Sequence, residues 1–260
     1  MLSYQHGYHA GNFADVHKHT ALCQIIDHFK DHKKVVTFID SHSGRGFYDL
    51  CGEQAEKTGE WKDGYARLSD QTVSNPELKR YCDAIKTFQN THEGLTYPGS
   101  PALTQQQMQD NQRAVFFELH PTEFETLQEN LKGDQRLRFV HKDAQYHLID
   151  FLPNRQADGL LLIDPSYEIK EDYNTIAKLA NACHKRWKAG IIMIWYPLLP
   201  EGRHEDLKKG LKNATFYELI GPEKERGMYG TGLALINAPA DFDARFKLSE
   251  NAMKNYLFSS

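Results

Sequence analysis

No run in this sequence approaches the ~20 consecutive apolar residues of a membrane span. The opening Met1-Leu2-Ser3-Tyr4-Gln5-His6 lacks the basic stretch followed by an apolar one that marks a secretory leader. A soluble, cytoplasmic chain with no membrane contact is expected. Cysteine is scarce: Cys23, Cys51, Cys82 and Cys183 are scattered without Cys-x-x-Cys spacing, which excludes a disulfide frame or zinc knuckle and suits thiols kept reduced. An excess of positive charge is also missing. A formal net charge of -4 argues against a general nucleic-acid binder, because affinity for phosphate backbones comes largely from Lys and Arg. Basic clusters remain at Lys33-Lys34, Lys79-Arg80, Lys185-Arg186 with Lys188, Lys208-Lys209 with Lys212, and Lys224 with Arg226. Each reads as a solvated helix face or loop, and one modest patch suffices for a transient contact. Repeats and low-complexity segments are absent too. What remains is 260 residues, 40% hydrophobic, enough to bury one full α/β core.

The most informative stretch is Leu160-Leu161-Leu162-Ile163, a buried-strand run that ends abruptly in Asp164-Pro165-Ser166-Tyr167. Open α/β sheets place their chemistry just past the carboxyl ends of their strands. An acid, a rigid proline and an aromatic there suit amino-group chemistry on a flat base. Asp164 can accept hydrogen bonds from an exocyclic amine through its carboxylate and its carbonyl. Pro165 fixes the backbone and withholds a competing N–H, and Tyr167 offers a face for stacking. The same tetrapeptide also serves as a plain strand-to-turn exit, so its meaning depends on the rest of the chain.

A second β-rich run, Val35 to Ile39, leads into Asp40-Ser41-His42-Ser43-Gly44-Arg45-Gly46. Glycines at a strand-to-helix turn let backbone approach a ligand. Here the full Gly-x-Gly-x-x-Gly is lacking, since Phe47, Tyr48 and Asp49 follow Gly46. An acid inside the turn would repel the pyrophosphate of a dinucleotide and favour a cationic ligand such as S-adenosylmethionine, with its sulfonium and ammonium. Two further runs behave alike: Ala114 to Phe117 ends in Glu118, and Leu137 to Val140 is followed by Asp143. Glu118 is placed to accept from ribose hydroxyls and Asp143 from an adenine amine. Singly these are turn acids. Four strand exits at Asp40, Glu118, Asp143 and Asp164 together point to one site.

These motifs resemble the bacterial ribosomal RNA large subunit methyltransferase J family. The similarity also runs through Met1-Leu2-Ser3-Tyr4, the segment from His9-Ala10-Gly11-Asn12 to His17-Lys18-His19, Tyr97-Pro98-Gly99-Ser100-Pro101, Glu118-Leu119-His120-Pro121, Trp195-Tyr196-Pro197 and Gly227 to Gly232. The resemblance implies a Rossmann-like class I methyltransferase, a mostly parallel seven-stranded sheet flanked by helices. Its activity would be S-adenosyl-L-methionine-dependent methylation of an adenine N6 in large-subunit rRNA, yielding S-adenosyl-L-homocysteine and needing no metal. It further implies cofactor contacts from His19, His42, Ser100, Glu118, Asp143 and Ala144, beside Asp40 and Gly44 of the glycine turn. Asp164 would be the catalytic acceptor and Tyr4 would lie near the RNA. The chain departs from the family pattern at Ser166, where proline is usual, and at Ala144, where glycine is commoner.

Organisation follows the same pattern. Asp15 is predicted to cap a helix carrying Val16, Leu22, Ile25, Ile26 and Phe29. Strands are expected at 35–39, 114–117, 137–140, 159–163 and 190–196, with a closing pair near 214–220 and 232–237. A simple βαβ unit puts its second acid ~20 residues after the glycine turn, and Glu118 lies far beyond that from Gly46. Residues 51–96 are therefore read as an inserted helical subdomain, with 1–50 and 97–260 as the core. Asn75-Pro76-Glu77 starts a helix with Leu78, Tyr81, Cys82, Ile85 and Phe88 at helical spacing. Ser100 is predicted to cap the next helix, with Pro101 at its first position.

Other readings start from the same residues. His28 and His32, at helical spacing, could chelate a metal, but no third ligand follows at a telling distance. A non-catalytic nucleotide-binding module would use the glycine turn without needing the Asp164 exit. A DNA adenine or cytosine amino-methyltransferase would need both. The aromatic and histidine-rich strip Ser3 to His9 leads into the first helix and is expected to pass over the site entrance. A monomer acting on a loop or bulged adenine is the simplest assembly.

Overall fold

The computed structural model describes residues 4–259; Met1, Leu2 and Ser3 of the N-terminal motif lie outside them. The first long helix, α1 (Phe13–His28), begins where the Asn12 side chain accepts from the N–H groups of Ala14 and Asp15. The expectation that Asp15 is the cap is corrected. It lies inside the first turn, and its carboxylate reaches back to Gly11 N–H at 2.8 Å. Next come β1 (Val36–Asp40), β2 (Phe47–Asp49), α2 (Glu53–Thr58), a 3-10 turn (Glu60–Asp63), α3 (Ala66–Ser69), α4 (Pro76–Gln89) and β3 (Thr96–Pro98). Then α5 (Ser100–Gln107), β4 (Gln112–Phe117), α6 (Pro121–Asn130), β5 (Leu137–Val140), α7 (Ala144–His147), β6 (Asp158–Ile163), α8 (Asp172–Arg186) and β7 (Ile191–Leu198) alternate. The chain ends with α9 (His204–Gly210), β8 (Ala214–Ile220), β9 (Gly230–Ile236) and α10 (Phe242–Phe258).

Among the described residues, seven strands form one sheet in the order β5-β4-β1-β6-β7-β9-β8. Pairings from β5 through β7 are parallel, and β9 runs against both its neighbours. This is the expected Rossmann-like class I methyltransferase sheet. Strand order reverses between β1 and β6, so a crevice opens outside their carboxyl ends.

A strand covered on both faces can be apolar throughout, and alternate side chains then serve opposite layers. In β6, Leu160 and Leu162 join the cluster that contains α1 and α10, while Leu161 and Ile163 join the one that contains α8. Each such side chain contributes about 1.5–3 kcal/mol by leaving water. On the first face, α4 starts at Asn75, whose side chain accepts from Leu78 N–H, and buries Leu78, Tyr81, Cys82, Ile85 and Phe88. It packs against α1, α5 and α10. The stretch from α2 to α4 is closed at its base by β2 and β3, which pair antiparallel in a separate small sheet with Tyr48 opposite Tyr97. No helix among the described residues is long and apolar enough to cross a membrane.

Candidate active site

A cleft of about 840 Å³ opens at the carboxyl ends of β1, β4, β5 and β6, large enough for a nucleoside-sized ligand together with a second flat one. The loop after β1 is hooked to both neighbouring strands: Ser41 N–H donates to Leu162 O at 3.0 Å and Ser43 N–H to Phe117 O at 2.9 Å. Gly44 follows at φ +57, and an added Cβ would lie 2.2 Å from the Tyr48 hydroxyl. Conformation and space both require glycine here.

Gly44 N–H donates to one Glu118 oxygen at 2.8 Å, and His120 N–H donates to the other at 2.7 Å. Burial raises the Glu118 pKa, and these N–H groups oppose that rise. The carboxylate is thus fixed on the cleft wall with lone pairs to spare. Asp143 caps α7, accepting from Gln145 N–H at 2.8 Å, and Ala144 lies beside it on the wall. Asp40 does not line the cleft. It lies buried behind the wall, where Ser100 Oγ donates to it at 2.6 Å and His42 N–H at 3.1 Å. Burial pushes its pKa up to about 7. Ser100 lines the cleft, but it is not a cap. Gly99 holds that position, and the Ser100 hydroxyl is committed to Asp40.

His19 and His42 also reach the cleft. His19 Nδ1 lies 2.8 Å from the Tyr97 hydroxyl, and burial pushes its pKa down to about 3. His42 Nδ1 lies 2.7 Å from Ser41 Oγ, and burial lowers its pKa as well. Burial thus favours the neutral form of both imidazoles.

Asp164 sits on the same wall, and its carboxylate meets Lys18 Nζ at 2.6 Å. Lys18, with 5% of its side chain exposed, also lies 2.9 Å from Asp15 and 5.9 Å from the centre of the Trp195 ring. Burial works against its charge, but Asp15 and Asp164 hold its pKa above the ordinary lysine value. Asp15 is buried as well, which alone would raise its pKa, and His6 and Lys18 instead keep it well below the carboxylate range. His6 Nε2 is 2.9 Å from Asp15, and His6 Nδ1 is 2.9 Å from the Tyr4 hydroxyl. A continuous polar chain therefore runs from Tyr4 through His6, Asp15 and Lys18 to Asp164.

Tyr167 departs from expectation. Its φ of +52 turns the ring inward, where it packs 4.5 Å from Tyr173 and donates its hydroxyl to Trp195 O at 2.8 Å. At 8% exposure it offers no face to a ligand. The expectation of stacking on Tyr167 is corrected: the aromatic side chain on the wall beside Lys18 is Trp195, held by its indole N–H on Thr231 Oγ1. Asp15, Lys18 and Trp195 were not picked out as site residues from the sequence. A signal for the first two existed, since Asp15, Lys18 and His19 share a helix face through i, i+3 and i+4 spacing.

The family model described as "Ribosomal RNA large subunit methyltransferase D, RlmJ" matches residues 33–259. The ribosomal RNA large subunit methyltransferase J of Haemophilus influenzae is 34% identical over 255 residues, covering 95% of this chain and 91% of that protein. The Escherichia coli protein of the same name is 35% identical over 246 residues, covering 92% and 88%. A crystal structure of a Legionella pneumophila protein superimposes with a TM-score of 0.85 at 30% identity, over 96% of this chain and 94% of that one.

Proposed function

The chain belongs to the ribosomal RNA large subunit methyltransferase J family, and we propose that its cleft moves a methyl group from S-adenosyl-L-methionine to the exocyclic N6 amine of an adenine in 23S rRNA. The observation that carries this is Asp164-Pro165 at the end of β6, with the carboxylate pinned by Lys18 on the wall of a cleft that also presents Glu118 and Asp143. The donor set suits the cofactor: acceptors at Glu118 and Asp143, neutral imidazoles at His19 and His42, the backbone turn at Gly44, and small side chains at Ser100 and Ala144. Asp40 would act beneath them by fixing Ser100 and His42. When bound, S-adenosyl-L-methionine supplies a methyl group on a cationic sulfur and leaves S-adenosyl-L-homocysteine as product.

The protein's own task is to make a poor nucleophile competent. Adenine's amine lone pair is delocalised into the ring, and hydrogen bonds to two acceptors favour a tetrahedral nitrogen with a localised, aimed lone pair. Asp164 provides both acceptors, its carbonyl and Oδ1, because Lys18 occupies Oδ2. Pro165 contributes no N–H to compete for them. Asp164 need not remove a proton first. The nitrogen becomes strongly acidic once it carries the methyl group, so the carboxylate or a water beside it suffices as acceptor. Trp195 offers the target base an aromatic face, an effect worth about 1–3 kcal/mol per base in single-strand binders.

Extracting a paired base costs a few kcal/mol, so a loop or bulged adenine is the expected target. The enzyme would act as a monomer in the cytoplasm, with the 51–96 insertion supporting the N-terminal tail. The test is transfer of labelled methyl groups to 23S rRNA and to DNA with the same preparation. Label on N6-methyladenine of rRNA is expected; label on DNA alone, or on neither, would overturn the reading.

A further inference from the structure

We propose that Glu60, in the insertion, is a positioning residue for the RNA substrate that acts through His9 to set Tyr4 at the cleft mouth. This rests on the reading that the cleft methylates an RNA adenine. Among the described residues, segment 53–65 holds the tail through five hydrogen bonds. Gln54 donates to the Gln5 side chain at 2.7 Å, Thr58 donates to Tyr8 O, and Tyr65 N–H donates to Gly11 O at 2.8 Å. Glu60 makes the other two contacts, with one oxygen 3.0 Å from His9 Nδ1 and the other accepting from Asn12 Nδ2 at 3.0 Å. The His9 ring lies parallel to that of Tyr4, 5.6 Å between centres and 10° between planes. Tyr4 is thus supported by His6 at its hydroxyl and by His9 along its face. All five residues, Tyr4, His6, His9, Asn12 and Glu60, line the cleft.

Stability alone does not explain a carboxylate there. Both side chains of the His9–Glu60 pair are 38% exposed, and exposed pairs contribute little to folding. An unpaired acid at an RNA-facing mouth would also repel phosphate. When His9 is protonated, the pair cancels that charge. The hydrogen bond to the Glu60 carboxylate, opposed by burial, raises the His9 pKa, and Asp15 on α1 adds to the rise. The groups facing His9 are Glu60 from the 3-10 turn, Asp15 from α1 and Tyr4 from the tail. His9 backs the Tyr4 ring that would meet the nucleotide.

Glu60→Gln keeps the size of the side chain and removes its charge. With that variant, KM for RNA is expected to rise roughly tenfold, while kcat and cofactor affinity stay within about twofold. The fall of kcat/KM as His9 loses its proton should move to lower pH, and an NMR titration of His9 in the cofactor-free protein should show its pKa lowered. Tyr4→Ala should show the same KM defect, and the double variant should be no worse than Tyr4→Ala alone. Normal RNA KM in Glu60→Gln beside an impaired Tyr4→Ala would overturn the proposal, as would additive defects. Absence of rRNA methylation by the wild-type protein would instead overturn the activity on which the proposal rests.

Discussion

Lys18 Nζ lies 2.6 Å from Asp164 Oδ2, tying α1 to the end of β6 across 146 residues of sequence. The same ammonium holds Asp15 at 2.9 Å, so one buried cation serves two carboxylates. Deleting it leaves two acids in a poorly solvated wall, which is the costly way to break a buried pair.

Lys18→Ala is therefore expected to lower kcat by about a hundredfold, as misplacement of a reacting group does, and to destabilise the fold by about 3–5 kcal/mol. Asp164→Ala should abolish turnover and leave S-adenosyl-L-homocysteine affinity within a few-fold, because it removes contacts made mainly in the transition state. Calorimetry and methylation assays on the same preparations check both. Retained turnover in the Asp164 variant would remove that residue from the chemistry.

Glu118→Ala should raise the cofactor dissociation constant by at least roughly tenfold, because hydrogen bonds to a charged acceptor contribute about 1.5–3 kcal/mol each. Gly44 N–H and His120 N–H would lose their partner as well. An unchanged constant would reduce Glu118 to an anchor for those two backbone groups.

The strand exits were legible because a residue just past the last strand position must emerge at that edge of the sheet, whatever the rest of the fold does. Hence Asp40, Glu118, Asp143 and Asp164 gather around one crevice, although Asp40 ends behind its wall. Strands β5 and β8 also fall at the expected bounds, where apolar and β-favouring runs sit between turn residues. The pair β2 and β3 was not legible, because three-residue strands carry no period and these two lie far apart in sequence. Lys18 was hidden for a similar reason: its meaning depends on a partner 146 residues away. Spacing also says nothing of φ, which is why Asp-Pro-x-Tyr suggested a stacking ring where the chain turns Tyr167 inward. Asp15 and Ser100 looked like caps by residue type, but Asn12 and Gly99 occupy those positions.

Asp40 carries a pH dependence of stability. Its folded-state pKa, about 7, lies above the ordinary aspartate value of 3.8 through burial. A group with a raised folded pKa contributes fully below its unfolded pKa and loses that contribution as pH rises through the folded one. Between about pH 4 and pH 7, ionising Asp40 therefore works against the fold. Asp40→Asn keeps the shape and can still hydrogen-bond Ser100 and His42. Its melting temperature relative to wild type should be higher at pH 8 than at pH 4. A difference that does not change with pH would show that Asp40 titrates normally in the folded protein.

Tyr167 and Trp195 can be separated in the same way. Tyr167→Phe keeps the buried ring against Tyr173 and loses only the hydrogen bond to Trp195 O. A loss of about 1 kcal/mol in stability is expected, with KM for RNA unchanged, because the hydroxyl removed is bound to Trp195 O inside the fold. Trp195→Ala removes the aromatic wall beside Lys18, and KM for RNA should rise by roughly tenfold, the equivalent of one lost stacking contact. Denaturation curves and steady-state kinetics on the two variants give the answer. If Trp195→Ala left KM for RNA unchanged, the stacking face for the target base would not belong to Trp195.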